Sequence, residues 1–364
     1  MLADDAQEAR AYPRGTIDLA LCHTCGFITN TSFDPAIIDY SSSYEETQSF
    51  SPRFRRFAGS LVSKFIDGYG IRDKTVVEIG CGRGDVLVMM CEAGNNQGIG
   101  IDPSYREGDL QSPARDRIQF IPEFYGERHA SIAADLIICR HTLEHVQPTA
   151  DFLQLVRRSI GDRDTLVFFE VPDVARVLRE LSVWDIHYEH CSYFTLGSLA
   201  RLFRATGFEV LELEMGYEDQ YCLIVARPAR EGASTRLLPG EDDLAQTRQL
   251  VTSFQAIYPQ QMERWRTNVQ RIRQSRKRAV IWGGGSKAVS YLTLLGVTDE
   301  IAFVVDINPQ RQGQYLAGPG HQILAPAELE RYRPDMVIVM NPIYLDEIGA
   351  DLARMGLEPE LVPA

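Results

Sequence analysis

Short apolar runs recur along the middle of the chain at regular intervals: TVVEI (75–79), QGIGI (97–101), IQFI (118–121), DLIIC (135–139) and TLVFF (165–169). They are apolar almost throughout rather than alternating, and rich in Val, Ile and Phe, which predicts strands covered on both faces. Segments with helical character, 85–93 and 150–159, separate them. Upstream, Phe54, Phe57, Leu61, Val62 and Phe65 recur at three- and four-residue spacing and predict an amphipathic helix. Two further runs, EVLELEM (209–215) and YCLIVAR (221–227), follow a helical segment at 196–206 and lie close enough to form an antiparallel pair at a sheet edge. The pattern is that of an open, doubly wound α/β domain.

Residues 229–245 are polar and contain Gly and Pro, as in a linker, and a long helical stretch covers 242–275. RAVIWGGGSKA then restarts a strand–glycine-turn–helix pattern, and EIAFVVD and DMVIVMN read as buried strands. The chain therefore divides into an N-terminal segment (1–52), a Rossmann-like domain (53–228), a linker and connecting helix (229–275) and a second, smaller Rossmann-like domain (276–364). The first 50 or so residues show no regular pattern.

Composition narrows the class. The chain has 364 residues, 45% hydrophobic and 24% charged, as in a soluble globular protein. No apolar run reaches the roughly 18–20 residues of a membrane span. The start, MLADDAQEAR, is too acidic for a secretory leader. A net charge of -13 argues against neutralising nucleic-acid phosphates. Seven scattered cysteines suit reduced thiols, and with the missing leader they predict a cytoplasmic protein.

The candidate chemistry begins where TVVEI enters Gly80-Cys81-Gly82-Arg83-Gly84-Asp85. The glycines allow a tight turn and close approach of a ligand, and the helix that follows offers free N–H groups. Glu78 lies at the strand end, and the next strand ends in Asp102-Pro103, where a ribose diol would lie. The spacing is G-x-G-x-G with an upstream acid, not the G-x-G-x-x-G of dinucleotide enzymes. S-adenosylmethionine has no pyrophosphate and a cationic amino-acid tail, so its site suits an acid beside the loop. The alternative is a plain tight turn.

The fourth strand ends in Arg140-His141-Thr142-Leu143-Glu144-His145-Val146, which resembles the segment closing the cofactor pocket in class I S-adenosylmethionine-dependent methyltransferases. On that resemblance Arg140 and His141 neighbour cofactor or substrate, while Glu144 and His145 serve structure. The densest group of titratable residues follows the fifth strand, in His187-Tyr188-Glu189-His190. A histidine beside a carboxylate at the carboxyl end of such a sheet suits a general base.

The run His187-Tyr188-Glu189-His190-Cys191-Ser192-Tyr193-Phe194 resembles the Tyr-His-Glu-His-x-Ser-Tyr-Phe segment of C-methyltransferases acting on nucleotide-linked 4-keto-deoxysugars, with the first two residues exchanged. Tyr40-Ser41-Ser42-Ser43-Tyr44-Glu45-Glu46-Thr47 is similar to that family's Tyr-x-Ser-Ser-x-Ser-x-Thr stretch. The C-terminal Trp282-Gly283-Gly284-Gly285-Ser286-Lys287 and Val305-Asp306 are similar too. The resemblance implies a carbon next to a ketone as the methyl acceptor. By that match His190 removes the proton, Tyr40, Tyr188 or His187 bonds the enolate oxygen, and Glu189 tunes the histidines. The partner is then a nucleotide-linked keto sugar. An O- or N-methyltransferase and a non-catalytic nucleotide-binding module are the other readings.

Two motifs remain. Cys22 and Cys25 form one zinc knuckle, half of the four ligands a structural zinc usually takes. The resembling family carries an earlier Cys-x-x-Cys; here either the site is lost, or the chain begins late, or His23 and a distant residue substitute. Gly283-Gly284-Gly285-Ser286-Lys287-Ala288, with Asp306 after it, formally fits a dinucleotide fingerprint. In the resembling family this lobe serves the nucleotide-sugar side.

Overall fold

The computed structural model describes residues 2–38, 47–106, 108 and 111–364. A three-stranded antiparallel sheet joins β1 (Leu19–Leu21) and β2 (Ile28–Asn30) to a later two-residue strand, Ser192–Tyr193. Helix α1 (Pro52–Ser63) then buries Phe54, Ala58, Leu61 and Val62 against the first lobe. Ser51 caps it, its side chain accepting from the Phe54 amide, and Pro52 opens the first turn, where a missing N–H costs nothing.

The first lobe is a seven-stranded sheet. It contains β3 (Thr75–Ile79), β4 (Gln97–Ile101), β5 (Ile118–Ile121), β6 (Leu136–Arg140), β7 (Leu166–Pro172), β8 (Phe208–Gly216) and β9 (Tyr221–Pro228). Their spatial order is β8-β9-β7-β6-β3-β4-β5, with β3 to β7 parallel and β9 antiparallel to both neighbours. The antiparallel pair β8–β9 stands at one edge of the sheet as expected, with β8 outermost and β9 between β8 and β7, which explains why nearly all residues of β9 are buried. Helices α2 (Asp85–Gly94), α3 (Thr149–Ile160), α4 (Val174–Glu180) and α5 (Leu196–Ala205) complete the lobe. Separate apolar clusters cover the two sheet faces, as uniformly apolar strands require.

Helix α6 (Leu244–Ser275) leads to the second lobe. There β10 (Ala279–Trp282), β11 (Ile301–Val305), β12 (Ile323–Leu324), β13 (Met336–Val339) and β14 (Glu360–Pro363) form an all-parallel sheet in the order β12-β11-β10-β13-β14. The overall class is α/β, with a doubly wound Rossmann-like lobe followed by a smaller Rossmann-like lobe. The N-terminal segment departs from the irregular chain expected of it. Besides β1 and β2 it contains a helix, Ala6–Ala11, and a strand, Leu2–Ala3, that pairs with Tyr315–Leu316 of the second lobe. Strands of two or three residues are too short to show an alternation. Among the described residues no helix is long and apolar enough to cross a membrane, and all seven cysteines are free thiols.

Candidate active site

Parallel strands end at one edge of a sheet, so their last residues and the loops after them gather there. The carboxyl ends of β3, β4, β6 and β7 face the second lobe's glycine turn across a cleft of about 1330 Å³. Gly80, Gly82 and Gly84 all take positive φ, at 70°, 51° and 81°. A Cβ on Gly80 would fall 1.9 Å from the Thr142 hydroxyl, whereas one on Gly82 would meet nothing within 4 Å. The first glycine keeps the loop against β6, and the second leaves the cleft open. Asp102 closes the turn from β4: its Oδ2 accepts from the Gly82 amide at 2.7 Å and its Oδ1 from the Ser104 amide at 2.8 Å. Cys81 and Pro103 line the same wall.

Glu78 is buried and accepts from the Leu87 amide of α2 at 3.0 Å. Burial pushes its carboxyl up to about 8, against the pull of Arg140. A buried carboxyl in that condition gains from a cation placed beside it. The open face at Gly82, the strand-end Asp102 and the acid at Glu78 therefore fit the cationic, diol-bearing S-adenosylmethionine.

One strand further, Arg140 and Glu170 are register partners on β6 and β7, and their side chains form a two-pronged pair at 2.9 and 3.1 Å. His141 follows at φ 48°, its Nε2 2.8 Å from Glu170 and its Nδ1 3.5 Å from Glu144. Burial would depress this imidazole, yet Glu144 and Glu170 hold it up to about 9. Burial would likewise raise Glu170, yet Arg140 and His141 bring it down to about 2. Glu170 was not singled out in the sequence, although an acid ending TLVFFE repeats the pattern of Glu78 ending TVVE.

The 187–190 turn closes the cleft from above. The His190 amide bonds the His187 carbonyl at 3.1 Å, and the Cys191 amide bonds the Glu144 carbonyl at 3.0 Å. Trp184, just before it, packs against Trp265 of α6 and Tyr291 of the second lobe, which wedges the segment between lobes. His187 and His190 approach with Nε2 atoms 3.1 Å apart. Burial, then the His187 and His145 imidazoles, push His190 well below the ordinary histidine value.

The second lobe presents helix α7 (Ser286–Leu295) to the same cleft, after its own glycine turn. The turn repeats the geometry of the first: the Gly284 amide donates to Asp306 Oδ2 at 2.7 Å, and Asp306 Oδ1 accepts from the Asn308 amide at 2.8 Å. Arg311 pairs with Asp306 at 3.2 Å. Across the cleft, Asp185 takes Lys287 at 2.7 Å and Arg176 at 2.8 Å. Ser286 donates to Glu189 at 3.3 Å.

Not every singled-out residue joins this group. The Tyr188 phenol points out of the cleft, accepting from the Asp34 amide at 2.8 Å and packing on Phe33. Tyr40 lies outside the described residues. Glu144 and His145, taken as structural, line the cleft. Cys22 and Cys25 sit elsewhere, on a turn where the Cys22 amide bonds the Phe27 carbonyl and the Gly26 amide bonds the Cys22 carbonyl. Among the described residues no third His, Cys, Asp or Glu stands with them as a ligand group. The pair therefore does not fit a four-ligand structural zinc.

A methyltransferase-domain family matches residues 46–213, and the C-methyltransferase C-terminal domain family matches residues 226–358. The chain is 26% identical over 363 residues to C-methyltransferase NovU of Streptomyces niveus, covering 95% of this chain and 84% of that protein. Among solved structures it is similar to the magnesium protoporphyrin IX methyltransferase of Synechocystis, with 15% identity over 51% of this chain and 91% of that one and a TM-score of 0.40. It is also similar to a Burkholderia thailandensis 1,6-didemethyltoxoflavin N1-methyltransferase, with 18% identity over 48% of this chain and 79% of that one and a TM-score of 0.35.

Proposed function

We propose that this chain is an S-adenosylmethionine-dependent C-methyltransferase, a reading its two matched domain families and its similarity to C-methyltransferase NovU support, and that it methylates a carbon next to a ketone in a nucleotide-linked deoxysugar. S-adenosylmethionine supplies the electrophilic methyl group. Glu78, Gly80, Cys81, Gly82, Gly84, Asp102 and Pro103 hold it, Glu78 meeting its amino group and Asp102 its ribose, with Arg140 and His141 as neighbours. His190 takes the proton made acidic by the ketone. His187, 3.1 Å from it, bonds the enolate oxygen or relays the proton, and Glu189 steadies the imidazolium that forms. Tyr188 takes no part, because its phenol is engaged at Asp34. The second lobe receives the nucleotide end: the start of α7 and Lys287 offer N–H groups and a cation to a diphosphate.

One observation carries this reading: the 187–190 imidazoles and the 80–84 loop line a single cleft whose opposite wall is a second nucleotide-type turn. The test is mass spectrometry of a panel of keto-sugar nucleotides incubated with S-adenosylmethionine, run beside solvent deuterium exchange at the carbon next to the ketone. A gain of one methylene with exchange that disappears in His190→Ala is the expected result. Methylation on oxygen or nitrogen, without exchange, overturns it.

A further inference from the structure

Three potential ligands crowd the upper wall of the cleft. One donor atom each from Glu144, His145 and His190 lies within 4.8 Å of the others. Glu144 is 1% exposed, and neither of its carboxylate oxygens has a hydrogen-bond partner; its nearest cation is His141 Nδ1 at 3.5 Å. With no hydrogen bond on either oxygen, a carboxylate this buried gains from a further positive charge besides the His141 imidazole. His145 is oriented for ligation. Its Nδ1 lies 3.0 Å from the Glu189 carbonyl oxygen. A carbonyl only accepts, so Nδ1 carries the hydrogen and the lone pair is on Nε2. Metal-binding histidines are held in this way, with the second ring nitrogen donating to a backbone carbonyl.

We propose that Glu144, His145 and His190 form a two-histidine, one-carboxylate site for a zinc-class divalent ion, and that an ion bound there suspends methyl transfer. Imidazole and carboxylate donors suit zinc, whose tetrahedral shell would keep one position open. Ligands on such an ion stand about 3.3 Å apart, so the three side chains close inward by an ångström or so on binding. The ion holds the lone pair of His190, and a base whose lone pair is coordinated cannot take a proton. The inhibition rests on the reading of His190 as the base; the binding does not. The site is separate from the Cys22–Cys25 turn, which lies outside the cleft.

The test uses the full chain without an affinity tag, stripped with a chelator and titrated with Co²⁺ as a spectroscopic stand-in for zinc. Calorimetry and visible absorption should report one ion per chain with no thiolate charge-transfer band. Glu144→Gln and His145→Gln should each weaken binding by about tenfold or more, and Cys22→Ser/Cys25→Ser should bind as the wild type. Two variants guard against one that fails to fold. Absence of binding in the wild type overturns the site, as does loss of binding in the cysteine variant alone. In the second arm, Zn²⁺ should stop solvent deuterium exchange into the substrate, and a chelator should restore it. If the ion binds through Glu144 and His145 and exchange continues, the inhibition and the assignment of His190 as the base fall together, while the metal site stands.

Discussion

His187 and His190 face one another through their Nε2 atoms at 3.1 Å. Two imidazoles that close can share one proton but cannot both be charged. Burial and the neighbouring ring hold His190 well below the ordinary histidine value, and burial also lowers His187. The neutral, proton-accepting form of His190 therefore persists below about pH 6.5, the unperturbed histidine value. We predict that the acid limb of the rate profile of the C–H exchange step lies below that value. In His187→Ala the limb should move upward, because a competing cation is gone. An acid limb at or above pH 6.5 in the wild type would argue against the assignment.

Glu170 and Arg140 are buried at adjacent strand ends, and each needs the other. Removing one partner of such a pair typically costs about 3–5 kcal/mol, since the remaining charge stays buried. Glu170→Gln should lower unfolding stability by about that amount in urea titration, and a loss below ~1 kcal/mol would sink the claim.

The same cluster gives stability a pH window. Glu170 has a depressed folded value, so its contribution is present above the ordinary carboxylate range and is lost as pH falls toward about 2. His141 has a raised folded value, so its contribution is full below the ordinary histidine range and is lost as pH rises through about 9. Urea midpoints measured across pH should decline on the alkaline side in the wild type, and that decline should flatten in His141→Ala. An equal decline in both proteins would remove His141 from the account.

Gly82 and Gly80 separate cofactor binding from folding. Gly82→Ala meets no atom within 4 Å, so its cost is the left-handed backbone, roughly 1–2 kcal/mol. Its methyl group would protrude into the cleft, and S-adenosylmethionine affinity in calorimetry should fall by about tenfold or more, about 1.4 kcal/mol. Gly80→Ala would drive a methyl into Thr142 and should impair folding as well. Unchanged cofactor affinity in Gly82→Ala would count against the 80–84 loop as the binding site.

Lys287 reaches Asp185 from the second lobe and is 24% exposed, available to an anion entering the cleft. If the second lobe receives a diphosphate, Lys287→Met should raise KM for the nucleotide sugar by about tenfold with little change in kcat, the mark of lost uniform binding. A KM that stays where it was would remove the nucleotide from this wall.

Much of the design was legible in the chain itself. The apolar runs, the glycine turns and the strand-end acids Glu78, Asp102 and Asp306 are local patterns. A strand followed by a glycine turn and a helix has a single geometry, so an acid at its end falls at the sheet edge wherever it occurs. What lies between residues distant in sequence was not legible. The insertion of β9 beside β7, the Arg140–Glu170 pair and the meeting of Glu144 and His145 with His190 depend on strand order and on how one lobe seats against the other. No periodicity encodes either. Likewise, the direction taken by Tyr188 is set by the N-terminal segment, with Asp34 receiving its phenol, and the four-residue motif alone carries no trace of that contact. Local chain geometry therefore determined the two nucleotide-type turns. Long-range packing alone decided that they open onto one shared cleft and which imidazoles line it.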